Sequence, residues 1–160
     1  MEQLQDKENI ANFHILDDTL LLYNQKIVQI ENQEIADFIN RYHWKMETTS
    51  TGLRFVINKK GNGLAPIKGS TVTIGYSVKL LTGDVVFQSD SLHPLTFIVG
   101  QRKVTNGLEE GVLLMHQGER AKLIVPSHLA YSLPGNLEKI PTRAILVYEV
   151  ELIHVTNPIN

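Results

Sequence analysis

Histidines and acidic residues are the side chains of this sequence that could carry acid–base or metal chemistry, because the chain contains no cysteine. The absence of cysteine excludes thiol catalysis, thiolate metal sites and disulfides. The histidines lack the i, i+4 or short-loop spacing that zinc binding favours. They are His14, His43, His93, His116, His128 and His154. We therefore predict no metal site and interpret these histidines as surface or boundary residues.

Two further motifs could be mistaken for catalytic elements. Glu109 and Glu110 form a carboxylate pair, but neighbours on a helix point in different directions, and acidic residues near a helix start stabilise the helix itself. The segment Gly61-Asn62-Gly63 is not followed by the Lys-Ser/Thr pair of a phosphate-binding loop. We interpret the glutamates as helix-stabilising residues and the glycines as a turn.

The charge balance argues against a dedicated nucleic-acid-binding protein. Lys and Arg number 15 against 17 Asp and Glu, and the net charge of −2 offers no broad basic surface. No segment is apolar over the ~18 residues that a membrane-spanning helix requires, and residues 1–6 lack the basic and apolar regions of a signal peptide. We expect a soluble chain with no transmembrane segment.

A series of short motifs in the second half of the chain carries a family resemblance. In chain order they are Gly107-Leu108-Glu109-Glu110-Gly111-Val112, Gly118-Glu119-Arg120-Ala121, Ala130-Tyr131, Ile140-Pro141 and Val147-Tyr148-Glu149-Val150-Glu151-Leu152. Together they resemble the core of an FKBP-type peptidyl-prolyl cis-trans isomerase. The resemblance runs over about residues 69–155.

The resemblance implies an apolar pocket for a proline-containing segment. Rotation about a prolyl bond makes and breaks no covalent bond, so no nucleophile, metal or cofactor is required. By alignment with the family, the pocket wall consists of Tyr76, Phe87, Val104, Tyr131, Ile140 and Tyr148. Tyr76, Phe87 and Tyr131 are the expected catalytic residues, with Tyr131 donating its hydroxyl to a substrate carbonyl. Residues 132–139 are expected to form a flap that contacts the residues beside the proline.

Four positions depart from the family's pattern. Gln88 follows Phe87 where the family has an acidic residue, and Leu95 stands where a second phenylalanine is usual. Leu108 replaces the tryptophan that floors the family's pocket, whereas Thr105 replaces an isoleucine and retains the backbone N–H. At ~25 cal/mol per Å² of apolar area, even half the loss from Trp to Leu would weaken binding more than ~10-fold. We expect altered prolyl binding and weak macrolide binding.

Residues 17–42 have apolar side chains at helical spacing. One face carries Leu20, Tyr23, Ile27 and Ile30, and the next carries Ile35, Phe38, Ile39 and Tyr42. We predict two helices with a break near Asn32. The apolar stripe packs either against its own domain or against a second subunit, which would make a homodimer. Membrane-surface binding would need a basic polar face, which these residues lack.

After residue 52 the apolar residues alternate, as in half-buried strands. The pattern predicts strands near residues 53–57, 71–80, 85–87, 95–99, 119–125 and 144–154. Leu108, Val112 and Met115 predict one short helix, with Gly118 as its C-cap. The predicted fold is α+β, an FKBP-like antiparallel sheet wrapped around one short helix. The polar tract at residues 47–52 marks a boundary between a helical extension (residues 1–51) and an isomerase domain (residues 52–156).

Two functional hypotheses follow. The first is a prolyl cis-trans isomerase that assists the folding of proline-containing client proteins. The alternative is a catalytically weak FKBP-like binding or chaperone module with an altered pocket. Residues 32–46, which include Trp44, resemble those of isomerases that some Gram-negative bacteria export as lipoproteins, including gliding-motility-associated relatives. The resemblance implies a cell-envelope or periplasmic location with a lipid-anchored precursor, and a cytoplasmic location is the alternative because the lipidated cysteine is lacking.

Overall fold

The computed structural model of the chain describes residues 2–130 and 140–159. The elements in chain order are α1 (Glu2–Tyr42), β1 (Glu47–Thr48), β2 (Arg54–Lys59), β3 (Thr71–Leu80), β4 (Val85–Gln88), β5 (Leu95–Ile98), α2 (Asn106–Leu113), β6 (Arg120–Val125), α3 (Ser127–Ala130) and β7 (Leu146–Thr156). The chain divides into two compact units, Met1–Asn40 and Arg41–Asn160.

The first unit is helical. The predicted break near Asn32 is wrong, because α1 runs without interruption from Glu2 to Tyr42. Residues 2–42 contain neither glycine nor proline, and an interior asparagine costs only a fraction of a kcal/mol. His43 then adopts a left-handed conformation (φ 55°), a common way for a helix to end. Over the described residues, no helix combines the length and apolar character needed to cross a bilayer.

The second unit is built on a seven-stranded antiparallel sheet. Its strands lie in the order β1-β2-β6-β7-β3-β4. The remaining strand, β5, pairs with residues 71–74 of β3, whereas β4 pairs with residues 77–79 of β3. The longest pairing joins β3 to β7, with Val78 opposite Tyr148 and Ile74 opposite Leu152. The polar tract at residues 47–52 contains the short strand β1, which pairs with β2 of this sheet. The domain boundary at residues 51/52 stays a prediction.

Helix α2 packs on one face of this sheet through two glycines. A Cβ atom at Gly107 would lie 2.5 Å from Val125 Cγ1, and one at Gly111 would lie even closer to Leu123 on the same strand. The close approach buries Leu108 and Val112 in the core. The predicted α+β fold, with a helical N-terminal segment, an antiparallel sheet and a short helix, is thereby confirmed.

The predicted C-cap was wrong. Helix α2 ends at Leu113, and Leu114 is its C-cap, with its N–H bonded to the carbonyl of Gly111. Gly118 lies in the turn before β6 with φ 92°, where its N–H donates to the carbonyl of Leu152. The positive φ explains why a glycine occupies this position, but the turn leads into strand β6 and does not cap α2.

Gly61 and Gly63 allow a close backbone approach rather than a free turn. A Cβ at Gly61 would lie 2.7 Å from the carbonyl oxygen of Gln117, and the N–H of Gly63 donates to that same oxygen over 3.2 Å. The carboxylate of Glu119, buried beside them, accepts from the N–H of His116 over 2.9 Å. These contacts attach the segment before β3 to the turn before β6.

Candidate functional site

An apolar cleft lies where β3, β4, β7 and the start of α2 meet. Its described lining consists of Tyr76, Val78, Val86, Phe87, Val104, Leu108, Ile140 and Tyr148. Tyr76 and Val78 come from β3, and alternation along the strand places their side chains on the same face. Val78 pairs with Phe87 of β4 and with Tyr148 of β7, so the sheet register brings three strands to one site.

Three aromatic rings form one wall of the cleft. Tyr76 stacks on Phe87 with ring centroids 4.9 Å apart and an interplanar angle of 26°. Tyr76 also stacks with Tyr148, with ring centroids 6.3 Å apart and an interplanar angle of 22°. Offset-stacked pairs of this kind contribute about 0.5–1.5 kcal/mol beyond the area that they bury. The stacking joins the three rings into one continuous aromatic wall.

The cleft has an exposed rim and a buried inner end. Phe87 retains 39% of its exposure, whereas Val104, Leu108 and Tyr148 retain 4%, 2% and 1%. Ile140 and Tyr76 are intermediate. The cleft is therefore most open at Phe87 and most enclosed at Leu108 and Tyr148.

Two hydroxyls meet at the inner end. Tyr148 Oη lies 3.2 Å from Thr105 Oγ1, and both residues are buried. Thr105 is also the N-cap of α2, because its side-chain oxygen accepts from the N–H of Leu108 over 3.3 Å. Burial raises the pKa of Tyr148 to about 12, and the hydrogen bond with Thr105 offsets only part of the shift. Burial also raises the pKa of Tyr76, so both phenols are protonated at neutral pH.

The structure brings together most of the predicted site residues. Tyr76, Phe87, Val104, Leu108, Ile140 and Tyr148 line the cleft, and Thr105 contacts Tyr148 behind it. Tyr131 lies outside the described residues. The roles of all these residues stay predictions.

Two predicted site residues lie elsewhere. Leu95 pairs with Ile74 on β5 and packs against the core. Gln88 pairs with Ser77 at the end of β4. It lines a neighbouring, open and more polar concavity together with Lys122 and Glu149, and Tyr76 borders both this concavity and the cleft. Neither Leu95 nor Gln88 belongs to the described lining of the cleft. Their substrate-binding role stays a prediction.

Val78 and Val86 line the cleft but were not predicted as site residues. Val78 could have been found, because it follows Tyr76 by two positions on the same strand face. No comparable sequence signal exists for Val86, since its place in the lining depends on how β4 pairs with β3.

The described lining of the cleft is suited to binding an apolar group. That lining carries no carboxylate, amine or imidazole, and its tyrosines hold their protons at neutral pH. Such a site can desolvate an apolar group and offer hydroxyl and backbone donors to a neighbouring carbonyl. It suits a small apolar ring attached to polar peptide groups.

Comparison with known proteins identifies the family. Residues 63–153, more than half of the chain, match the family model described as FKBP-type peptidyl-prolyl cis-trans isomerase. The chain is 38% identical to FK506-binding protein 1 of Dictyostelium discoideum over 103 residues, which cover 64% of this chain and 96% of that protein. It is 35% identical to the FKBP-type peptidyl-prolyl cis-trans isomerase FkpA of Aeromonas hydrophila over 133 residues, 81% of this chain and 48% of the relative.

A solved structure agrees with these relatives. The crystal structure of FkpA from Escherichia coli superposes with a TM-score of 0.65 at 28% identity, covering 83% of this chain and 64% of that one. The match covers less than half the length of the Aeromonas relative. From the family model, these identities and the shared fold, we conclude that the chain belongs to the FKBP-type peptidyl-prolyl cis-trans isomerase family.

Proposed function

We propose that this chain catalyses cis-trans isomerisation of Xaa-Pro peptide bonds in client proteins and thereby assists their folding. The uncatalysed reaction crosses a barrier of about 18–20 kcal/mol and takes tens to hundreds of seconds. A dry cleft lowers that barrier if it binds the twisted imide, which has lost its amide resonance, better than the planar one. The reaction breaks no bond and therefore needs no cofactor.

One observation carries the proposal: an aromatic-walled apolar cleft lies within the family-matching segment. The prolyl ring would lie between Tyr76, Phe87 and Tyr148 and contact Val104, Leu108 and Ile140. The N–H of Thr105, which as an N-cap group has no acceptor within α2, would donate to a substrate carbonyl. Tyr131 would supply a second donor, while Gln88 and Leu95 would contact the flanking peptide.

The test is the exchange rate between cis and trans isomers of a short Leu-Pro peptide, measured by NMR with the purified chain. We expect acceleration, and we expect Tyr131→Phe to reduce it by about 2- to 10-fold, because the lost hydrogen bond contributes about 0.5–1.5 kcal/mol. Tyr23→Phe is the matched control, since it makes the same change on α1. Equal rates in the two variants would remove Tyr131 from the mechanism.

A catalytically weak binding or chaperone module is the second candidate. The observation that favours it is Leu108, which occupies the inner end of the cleft and offers less flat surface than an aromatic side chain. Line broadening of the peptide signals without faster exchange would support this candidate over the first. If Gln88→Asp combined with Leu108→Trp then gained no activity, these two positions would not be what limits catalysis.

The domain boundaries that we propose are an extension of residues 1–51 and an isomerase domain of residues 52–156. The support is the change from helical to alternating apolar spacing after residue 52. Limited proteolysis of the full chain followed by mass spectrometry tests the boundary. A protected fragment that begins near residue 41 instead would move the boundary to the end of the first compact unit.

We also propose that α1 pairs two copies of the chain. Phe13, Leu16, Leu20, Tyr23 and Ile30 recur at spacings of three, four and seven residues, and each is more than half exposed or at half exposure. Apolar residues at this spacing are typical of paired helices. Light scattering should report a dimer, and Leu20→Glu should shift it to a monomer. A monomeric unmodified chain would disprove the pairing.

Location and macrolide binding complete the proposal. We place the protein in the cell envelope, with a lipid-anchored precursor, because residues 32–46 resemble the extensions of exported lipoprotein isomerases. Fractionation of the source cells tests this, and a chain found only in the cytoplasm would contradict it. We expect macrolides such as rapamycin to bind weakly, since Leu108 offers them little flat surface. Calorimetric titration would measure that affinity.

A further inference from the structure

The two hydroxyls at the inner end of the cleft have one hydrogen more than they can use between them. Thr105 Oγ1 already accepts from the N–H of Leu108. In its bond with Tyr148 Oη either oxygen can be the donor, so that bond consumes one hydroxyl hydrogen and leaves the other. Across residues 2–130 and 140–159, neither hydroxyl has a further acceptor.

The spare hydrogen is poorly placed for contact with solvent. Thr105 and Tyr148 are buried, at 0% and 1% exposure. A buried donor without an acceptor loses the hydrogen bonds that it would make to water, which is unfavourable. A ligand that brings an acceptor to this point therefore satisfies a donor for which the described residues supply no acceptor.

The donor that a ligand meets belongs to Tyr148. Tyr148 is part of the cleft lining, whereas Thr105 lies behind it and is not. When Thr105 donates to Tyr148 Oη, the phenolic hydrogen of Tyr148 is free to turn toward the cleft. Both hydroxyls can rotate, so this arrangement needs no movement of the backbone.

We infer that the Thr105–Tyr148 pair makes this cleft selective for prolyl rings that carry an oxygen acceptor on their outer edge, as 4-oxoproline and 4-hydroxyproline do. The inference rests on the proposed function, which places the prolyl ring in the cleft. A ring that enters past Phe87 directs its outer edge, at Cγ, toward the inner end where Tyr148 lies. An acceptor on Cγ would meet the spare hydroxyl hydrogen, but an unsubstituted ring offers none.

The test compares three capped Leu-Xaa dipeptides in which Xaa is proline, 4-oxoproline or 4-methyleneproline. The last two have nearly the same shape, and only the ketone accepts a hydrogen bond. NMR titration of the full chain should show the oxo peptide binding about 2- to 10-fold more tightly than the methylene peptide. In Tyr148→Phe the ratio should fall to about one, and in Thr105→Val it should persist because the Tyr148 hydroxyl remains. Thermal unfolding followed by Trp44 fluorescence checks that each variant is folded.

The outcomes distinguish a failure of the acceptor selectivity from a failure of prolyl binding itself. Equal binding of the oxo and methylene peptides by the unmodified chain overturns the selectivity while leaving prolyl binding intact. A ratio that survives in Tyr148→Phe, or disappears only in Thr105→Val, overturns the assignment of the donor. If none of the three peptides binds, the proposed function fails, and the selectivity fails with it.

Discussion

The rim and the inner end of the cleft both carry large apolar and aromatic side chains, but these side chains differ in how deeply they are buried. At the rim, Phe87 is 39% exposed and is held mainly by stacking on Tyr76. At the inner end, Leu108 and Tyr148 are buried, belong to the hydrophobic core and connect α2 to β7. The cleft is therefore the outer side of the core itself. We expect changes at the inner end to alter folding first, and changes at the rim to alter ligand handling first.

The strongest test of this contrast is Leu108→Ala. Leu108 is 2% exposed and packs in the core, so its truncation should lower the free energy of unfolding by about 2–5 kcal/mol. Urea unfolding followed by Trp44 fluorescence measures the loss. A change smaller than about 1 kcal/mol would mean that the inner end is loosely packed, and the contrast would fail.

High pH should weaken the fold through Tyr148. Its folded-state pKa is raised from 10.0 to about 12, so the neutral phenol is favoured by folding. The resulting stability is complete below pH ~10 and is lost as pH rises from ~10 toward ~12, at most about 2–3 kcal/mol. Unfolding curves between pH 8 and 11.5 should show a larger loss in the unmodified chain than in Tyr148→Phe, which retains Tyr76, a second phenol whose pKa is raised by burial. Parallel pH profiles for the two proteins would contradict it.

Removing the N-cap hydroxyl should have a moderate effect. Thr105→Val deletes the acceptor for the N–H of Leu108 and the partner of Tyr148, which should cost about 0.5–2 kcal/mol. Thr105→Ser retains the hydroxyl and is the matched control. Thermal unfolding compares both variants with the unmodified chain, and a Thr105→Val variant at least as stable as Thr105→Ser would contradict the stabilising role given to the hydroxyl.

Phe87→Ala should change stability least and catalysis most. Its side chain is partly exposed, so the variant should lose about 1 kcal/mol, chiefly the stacking on Tyr76. The prolyl exchange rate should fall about 10-fold or more, because the rim loses a large apolar surface. The NMR exchange assay and urea unfolding should be run on the same sample. Loss of stability without loss of rate would reverse the roles assigned to rim and inner end.

Sequence patterns predicted the sheet and the short helix well because these elements are half-buried. Alternation over residues 71–80 matches β3, and the spacing of Leu108 and Val112 matches α2. The same reasoning fails at Asn32. The apolar stripe moves to another face of the helix there, and this change of face predicts a helix break that does not exist. Helix α1 continues because nothing in its backbone prevents it.

The candidate site was predictable only where the family pattern carried it. The cleft contains Tyr76, Phe87 and Tyr148 as the resemblance implies. It does not contain Gln88 within its described lining, because the end of β4 directs this residue to the polar concavity. Its neighbour Phe87 lines the cleft, so adjacent positions in the sequence serve two different surfaces.

The sequence by itself determined the six longer strands, the short helix, the family and the apolar character of the pocket, since these depend on local spacing and on motifs in chain order. Only the tertiary structure decided that Val86 joins the cleft lining, that Gln88 lines the polar concavity instead, and that Thr105 meets Tyr148. These two residues are 43 positions apart, and the register of β7 on β3 together with the close packing of α2 on β6 brings their hydroxyls within 3.2 Å. Local periodicity says which side of a strand a residue occupies, but not which distant residue it faces.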